Sequence, residues 1–293
     1  MKKNIKTGEN KFSIFNFQFS IEKPDILETI IANKRLEVAR QKVAVPLDLL
    51  FNLGGRRMSR EPVSMRRALE QSQSGIIAEF KRRSPSKGWL HPQAKVEDIV
   101  TAYENGGASV CSILTDSDFF GGSFTDLQQA RSLVKLPLLR KDFIIEEYQL
   151  YQARVLGANA ILLIASCLSK EECRKLAEKA HQLELEVLLE VHCEAELSYL
   201  NKDIDMLGVN NRNLGTFQTD IENSFRLIER MKSEAGKGCE APLFVSESGI
   251  SSVEVIKELR EAGFRGFLMG ETFMKTENPG ETLAHFIDNL SVK

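Results

Sequence analysis

The sequence predicts an α/β protein built as a (β/α)8 barrel, and three observations carry that prediction. From residue 75 onward one unit recurs: a short β-branched or leucine-rich run, a turn, then an amphipathic helical pattern. The runs are continuously apolar rather than alternating, as parallel strands covered on both faces should be. Eight such runs are present, and eight units close into a barrel; a doubly wound open sheet is the competitor, disfavoured by count and spacing.

In chain order the runs are GIIAEFK from Gly75, ASVCSILT from Ala108, LPLLRKDF from Leu136, ANAILLIAS from Ala158, LEVLLEVH from Leu185, DMLGVNNR from Asp205, PLFVSESG from Pro242 and RGFLMGET from Arg265. Helical patterns lie between them. Val96, Ile99, Val100 and Tyr103 recur at helical spacing, and in SKEECRKLAEKAHQL Ser169 can cap while Glu172 closes a capping box. Glycine at several helix ends supplies a left-handed stop. Ahead of the barrel, DILETIIANKRLEVARQKV from Asp25 forms a further helix whose Ile26, Ile30, Leu36 and Val38 approximate one face. It is expected to cap an end of the barrel. Residues 25–293 thus read as one barrel domain with N-terminal capping helices, and residues 1–24 as a poorly ordered or edge-docked extension.

Composition excludes several classes of function. Of 293 residues, 42% are apolar and 27% charged, enough to bury a sizeable core. The 39 basic and 41 acidic residues are mixed along the chain, leaving a net charge of −2 and no broad basic field for a nucleic acid or an anionic membrane. The clusters GGRRMSR near Gly54 and MRRALE near Met65 read as solvated helix faces. Five cysteines, Cys111, Cys167, Cys173, Cys193 and Cys239, show neither CxxC nor a zinc-ligand spacing, which fits a reducing cytoplasm. No stretch approaches the roughly 20 apolar residues of a membrane span, and the N-terminus lacks the apolar core of a signal peptide.

In a barrel enzyme the chemistry sits at the C-terminal ends of the strands. There the runs carry groups a core would not choose: Glu79 and Lys81 in the first, Lys141 with Asp142 in the third, Glu190 in the fifth, Asn210 and Arg212 in the sixth, Ser246 and Ser248 in the seventh. Each has a plain structural reading as an ion pair, a surface turn or a cap. Converging on one mouth, they suit a substrate that is anionic at several points and needs proton transfer. Lys141 in that mouth should be pushed down by apolar surroundings and nearby cations and back up by glutamates, and Glu79/Lys81 and Lys141/Glu190 should titrate as pairs.

Ser248-Gly249 and Gly270-Glu271 stand where barrels hold a phosphate with loop amides, and Ser84 could add a hydroxyl. Tight turns are the alternative. His192 reads as a structural histidine that could line the mouth, and Trp89, Phe119 and Phe120 as either pocket walls or loop anchors.

The stretches IIAEFKRRSPSKG, SILTDSDFFGGSFTDL, PLLRKDFIIEEYQLYQARVLGANAILLIA, LLEVH, LGVNNRNLGTF, SESGI and FLMGE resemble the indole-3-glycerol-phosphate synthase family, over the chain from about Asp25 to its end. The resemblance implies decarboxylating and dehydrating ring closure of 1-(2-carboxyphenylamino)-1-deoxyribulose 5-phosphate, a small sugar phosphate, with no cofactor, in a cytoplasmic monomer or weak oligomer. Carried over by position, Lys141 is the general acid, Glu190 a proton-transfer partner, Glu79 a supporting acid and Lys81 the group that steers the substrate carboxylate and takes part in proton transfer, with the division of steps between the two lysines left open. Asn210, Arg212 and Ser248 orient the substrate; Ser84, Gly249, Gly270 and Glu271 frame the phosphate. Glu271 stands where some members have serine, so only its amide is carried over. An Amadori isomerase would want an Asp/Asp or Cys/Asp pair across the mouth, and a silent phosphate-binding barrel would have no use for Lys141 opposite Glu190.

Overall fold

The computed structural model describes residues 26–58, 61–213, 218–235 and 241–291, so the extension expected over residues 1–24 and Cys239 lie outside the described residues. Each of the eight predicted runs contains one strand: β1 (Ile76–Phe80), β2 (Val110–Leu114), β3 (Leu138–Lys141), β4 (Ala160–Ile164), β5 (Glu186–Val191), β6 (Met206–Asn210), β7 (Leu243–Glu247) and β8 (Gly266–Met269). They close into one parallel barrel in the order β1-β8-β7-β6-β5-β4-β3-β2. Nearly every strand residue is buried because the barrel interior covers one face and the helices cover the other.

Side-chain alternation then decides what enters the barrel. Ile77, Val110, Leu139, Leu188, Val245 and Leu268 meet in the inner apolar cluster, which plugs the lower half. The next inward position up each strand is charged on four strands, Glu79, Lys141, Glu190 and Glu247, and a serine, Ser112, on a fifth. Register pairs Leu114 with Lys141, Ile164 with Glu190 and Asn210 with Glu247, so these ends form one rim.

The helices are α1 (Ile26–Ala44), α2 (Leu47–Met58), α3 (Met65–Gln71), α4 (Val96–Asn105), α5 (Phe124–Leu133), α6 (Tyr148–Leu156), α7 (Lys170–Gln182), α8 (Glu222–Ala235), α9 (Val253–Ala262), α10 (Glu271–Met274) and α11 (Pro279–Ser291). The predicted face of α4 is buried, and α7 begins with the predicted Ser169/Glu172 capping box. Gly157 takes the left-handed conformation (φ 92°) that stops α6. The unit after β5 departs from the repeat: a 3-10 helix, Glu194–Tyr199, replaces the expected α-helix.

Both ends of the barrel are capped by the preceding helices. Met65 and Leu69 of α3 join the inner cluster from below, while Ile26, Leu27, Ile30 and Ile31 of α1 reach it from the mouth. One part of the expected α1 face is corrected. Leu36 is 59% exposed, and the buried residues are Ile30, Lys34 and Val38. Steps of four bring position 34, not 36, beneath residue 30, and a lysine occupies it because carboxylates wait there.

Candidate active site

The barrel mouth opens into a cavity of about 590 Å³. Every candidate site residue lines it: Glu79, Lys81, Ser84, Lys141, Glu190, Asn210, Arg212, Ser248, Gly249, Gly270 and Glu271. Ile26, Leu27 and Ile30 of α1 form an apolar wall together with Phe120 and Phe143. Of the expected aromatic walls, Phe120 faces the cavity and Phe119 packs on the inner cluster. Trp89 lies outside the cavity, 57% exposed, within reach of the Arg83 guanidinium.

Two lysines meet three carboxylates in the floor. Lys81 Nζ donates to Glu79 Oε1 at 2.5 Å, and Lys141 Nζ stands 3.2 Å from Glu190 Oε2 and 3.8 Å from Glu247 Oε2. Burial disfavours the Lys141 ammonium, but Glu190, Glu247 and Glu79 outweigh it and hold this lysine above its ordinary range. The downward pull expected from apolar surroundings and neighbouring cations is therefore overridden, because the cavity floor holds more acids than bases.

Glu190 and Glu247 share that ammonium unequally. Glu190 also accepts from Asn210 Nδ2 at 3.1 Å and lies 3.3 Å from His192 Nε2. Burial resists its ionisation, but Lys141 and His192 hold it well below the usual carboxylate range. Among the described residues no donor reaches either oxygen of Glu247 at hydrogen-bonding geometry. Burial and the adjacent Glu190 push Glu247 up, so it is the acid that keeps its proton. Small residues make room for these acids: a Cβ at Gly208 would collide with the Glu247 carboxylate, and one at Gly270 with that of Glu79. Gly270, expected in the phosphate site, thus also clears space for a carboxylate.

Glu247 is the residue that the sequence reading missed. Ser246 and Ser248 were expected to share the cavity side of β7, but counting by two from Leu243 brings Val245 and Glu247 inward. Ser246 faces outward, bonded to Asn211 and Ser224. Ser248 reaches the cavity because the chain turns there. Ser248 (φ 67°) and Gly249 (φ 78°) are both left-handed, a strained conformation for the non-glycine residue. A Cβ at Gly249 would also strike Thr219.

Arg212 bridges the rim. Its Nη1 donates to Ser86 Oγ at 2.8 Å, in the loop after β1, and its Nη2 to Glu271 Oε2 at 3.0 Å. Burial resists ionisation of Glu271, and Arg212 overcomes it, holding the carboxyl below its ordinary range. The Glu271 side chain is therefore occupied by arginine. His192 sits between Glu190 and Glu196; burial opposes its charge, and the two carboxylates raise it to about 10.

A closed parallel barrel with acid–base pairs gathered at its strand ends beside a left-handed Ser-Gly turn is the architecture of a barrel enzyme. The family model described as indole-3-glycerol phosphate synthase matches residues 27–286, and the chain belongs to that family of carboxy-lyases of tryptophan biosynthesis. Curated relatives bearing that name agree. The protein of Bacteroides thetaiotaomicron is 59% identical over 263 residues, covering 90% of this chain and 98% of its own. That of a Polaromonas species is 42% identical, covering 89% and 97%, and that of Neisseria meningitidis is 41% identical, covering 87% and 96%. Among solved structures, a mutant tryptophan synthase α-subunit from Pyrococcus furiosus superposes with a TM-score of 0.56 over 75% of this chain and 99% of its own, at 15% identity, a likeness of fold alone.

Proposed function

We propose that ring closure of 1-(2-carboxyphenylamino)-1-deoxyribulose 5-phosphate takes place in this cavity, with Lys141 as the general acid. The observation that carries the reading is the Lys141 ammonium standing among Glu190, Glu247 and Glu79 at the bottom of a half-apolar pocket. As the aromatic carbon bonds to the ketone carbon, the ketone oxygen gains negative charge and takes a proton from Lys141. A lysine held above its ordinary range still donates, because an alkoxide approaches the basicity of hydroxide, with a conjugate acid near the ~15.7 of bulk water.

Carbon dioxide then leaves, and its bonding electrons restore the ring. Dehydration needs a proton delivered to the departing hydroxyl and another removed from the ring system. Glu190 is the acceptor, since it is ionised, and the protonated Glu247 a few ångströms away can return the proton. Lys81, supported by Glu79, steers the substrate carboxylate. Asn210 aims Glu190 through its amide. The amides of the Ser248-Gly249 turn and of Gly270-Glu271, with the Ser84 hydroxyl, frame the phosphate, and Arg212 positions it. The apolar wall of Ile26, Leu27, Ile30, Phe120 and Phe143 receives the aromatic ring. The single domain of residues 25–293 works without a cofactor, in the cytoplasm, as a monomer or weak oligomer; no helix among the described residues is long and apolar enough to cross a membrane.

The test is direct. Purified protein incubated with the substrate, without added metal or nucleotide, should develop indole fluorescence; a protein that binds the substrate and leaves it unchanged would refute the reading. Arg212→Ala should weaken binding of inorganic phosphate by about tenfold, the effect of losing a charge-assisted contact, and unchanged affinity would remove Arg212 from the phosphate site.

A further inference from the structure

A second buried lysine, outside the floor of the cavity, holds the cavity's apolar wall together. Lys34 of α1 is 1% exposed, and its ammonium stands 2.7 Å from Glu37 Oε2, 2.9 Å from Asp116 Oδ2 and 2.9 Å from Asp142 Oδ1. Glu37 belongs to the same helix; the two aspartates follow β2 and β3. Each aspartate is itself committed to a piece of wall. Asp116 Oδ1 accepts from the backbone N–H of Phe119, fixing the turn that presents Phe120. Asp142 Oδ1 accepts from the N–H of Phe143, and its Oδ2 from Thr115 and Arg140. Phe120 and Phe143 contact each other, with ring centroids 6.0 Å apart.

The helix needs such an anchor. Its outer half packs on α6 through Val38, beside Tyr148 and Val155. Its inner half carries Ile26, Leu27 and Ile30 over the cavity, where hydrophobic contact is non-directional and fixes no register, and Asn33 Nδ2 donates to Asp118 Oδ2 at 2.8 Å near the helix's middle. An ammonium shared by two aspartates is directional and sets the helix in one register.

We propose that Lys34 is a positioning residue for catalysis: one ammonium pins α1, the Phe120 turn and the Phe143 segment next to Lys141 into a single preformed wall for the substrate's aromatic end. This rests on the reading of the cavity as the site of ring closure, and wild-type turnover tests that reading separately.

The experiment compares Lys34→Met with wild type at a temperature where circular dichroism shows both folded. KM for the carboxyphenylamino substrate should rise by about tenfold or more while kcat falls by less than KM rises, and inhibition by inorganic phosphate should stay within about twofold, because the ammonium of Lys34 pairs with Glu37, Asp116 and Asp142 and with no residue of the phosphate seat. KM within about twofold of wild type in the folded variant overturns the proposal. So does an equal loss of phosphate affinity, which would mean general collapse of the mouth. Should Lys34→Met not fold, Lys34→Met with Asp116→Asn keeps the net charge of the cluster at −1, as two bases against three acids become one base against two, and carries the same expectation. Failure of both to fold would make Lys34 a residue of folding rather than positioning and overturn it equally. Inactive wild-type protein would sink the catalytic reading instead.

Discussion

The molecule buries two lysines among carboxylates, and the clusters differ in how tightly they are paired. Around Lys34 the ion pairs are short, with its ammonium 2.7 to 2.9 Å from Glu37, Asp116 and Asp142, and Asp142 also takes Arg140, Thr115 and a backbone N–H while Asp116 takes another backbone N–H. Around Lys141 they are longer. Its ammonium stands 3.2 Å from Glu190 and 3.8 Å from Glu247, no donor among the described residues reaches Glu247 at hydrogen-bonding geometry, and all three line the open cavity. A tightly paired cluster resists change and fixes geometry; a loosely paired one facing a cavity is electrostatically poised for a substrate that supplies further partners. Substitutions in the two clusters should therefore fail in different ways.

The largest effect is expected in the tightly paired cluster. Asp142→Asn leaves Lys34 and Arg140 short of a buried counter-charge and should destabilise the fold by about 3–5 kcal/mol, read as a lower denaturant midpoint. Burial resists the Asp142 charge, yet Arg140 and Lys34 hold its carboxyl well below the ordinary range, so its contribution is present above the unfolded carboxyl range and lost as pH falls. A midpoint close to that of wild type would mean the cluster carries no stability.

Lys141→Met should do the opposite, cutting kcat by at least the roughly hundredfold typical of a lost general acid while leaving most product-analogue binding. Wild-type turnover in that variant would end its assignment. Glu247→Gln sharpens the contrast further. An amide replaces a buried carboxyl that lacks a donor, so stability should hold or rise by about 1 kcal/mol while turnover falls by about tenfold, the usual trade at a strained site. A destabilised and fully active Glu247→Gln would show the two clusters to be alike.

The barrel was legible because apolar period and unit count are backbone properties: eight continuous runs, each followed by a turn, admit few architectures. The rim was legible for the same reason, since position at a strand end follows from the run. Illegible was whatever depended on which way a residue faced. Glu247 hid between Ser246 and Ser248 because the turn at Ser248-Gly249 breaks the alternation that runs inward from Leu243 through Val245. Lys34 hid because a lysine counts as surface until its acids are known, and Asp116 and Asp142 lie far along the chain. The 3-10 connection after β5 was read as one more helix because nothing in the repeat marks where it breaks.

His192 gives the smallest and most selective test, because it belongs to the open cluster but lies between two carboxylates. The charged groups that face it are Glu190 on β5 and Glu196 on the 3-10 helix, while the Asn223 side chain holds its backbone carbonyl. Its pKa stands at about 10 in the fold, against an ordinary value of about 6.5. Between those limits the folded protein binds more protons here than the unfolded chain. The stability it contributes is therefore complete below about pH 6.5 and is lost as pH rises towards 10. Glu247, raised by burial and by Glu190, adds a slope of the same sign that begins lower, above the unfolded carboxyl range. His192→Asn should flatten the decline in Tm between pH 7 and 9.5 by up to about 1.4 kcal/mol per pH unit in the underlying stability and leave the part due to Glu247. An unchanged slope would mean the imidazole carries no proton in the fold, and Glu190 would then owe its ionisation to Lys141 and Asn210.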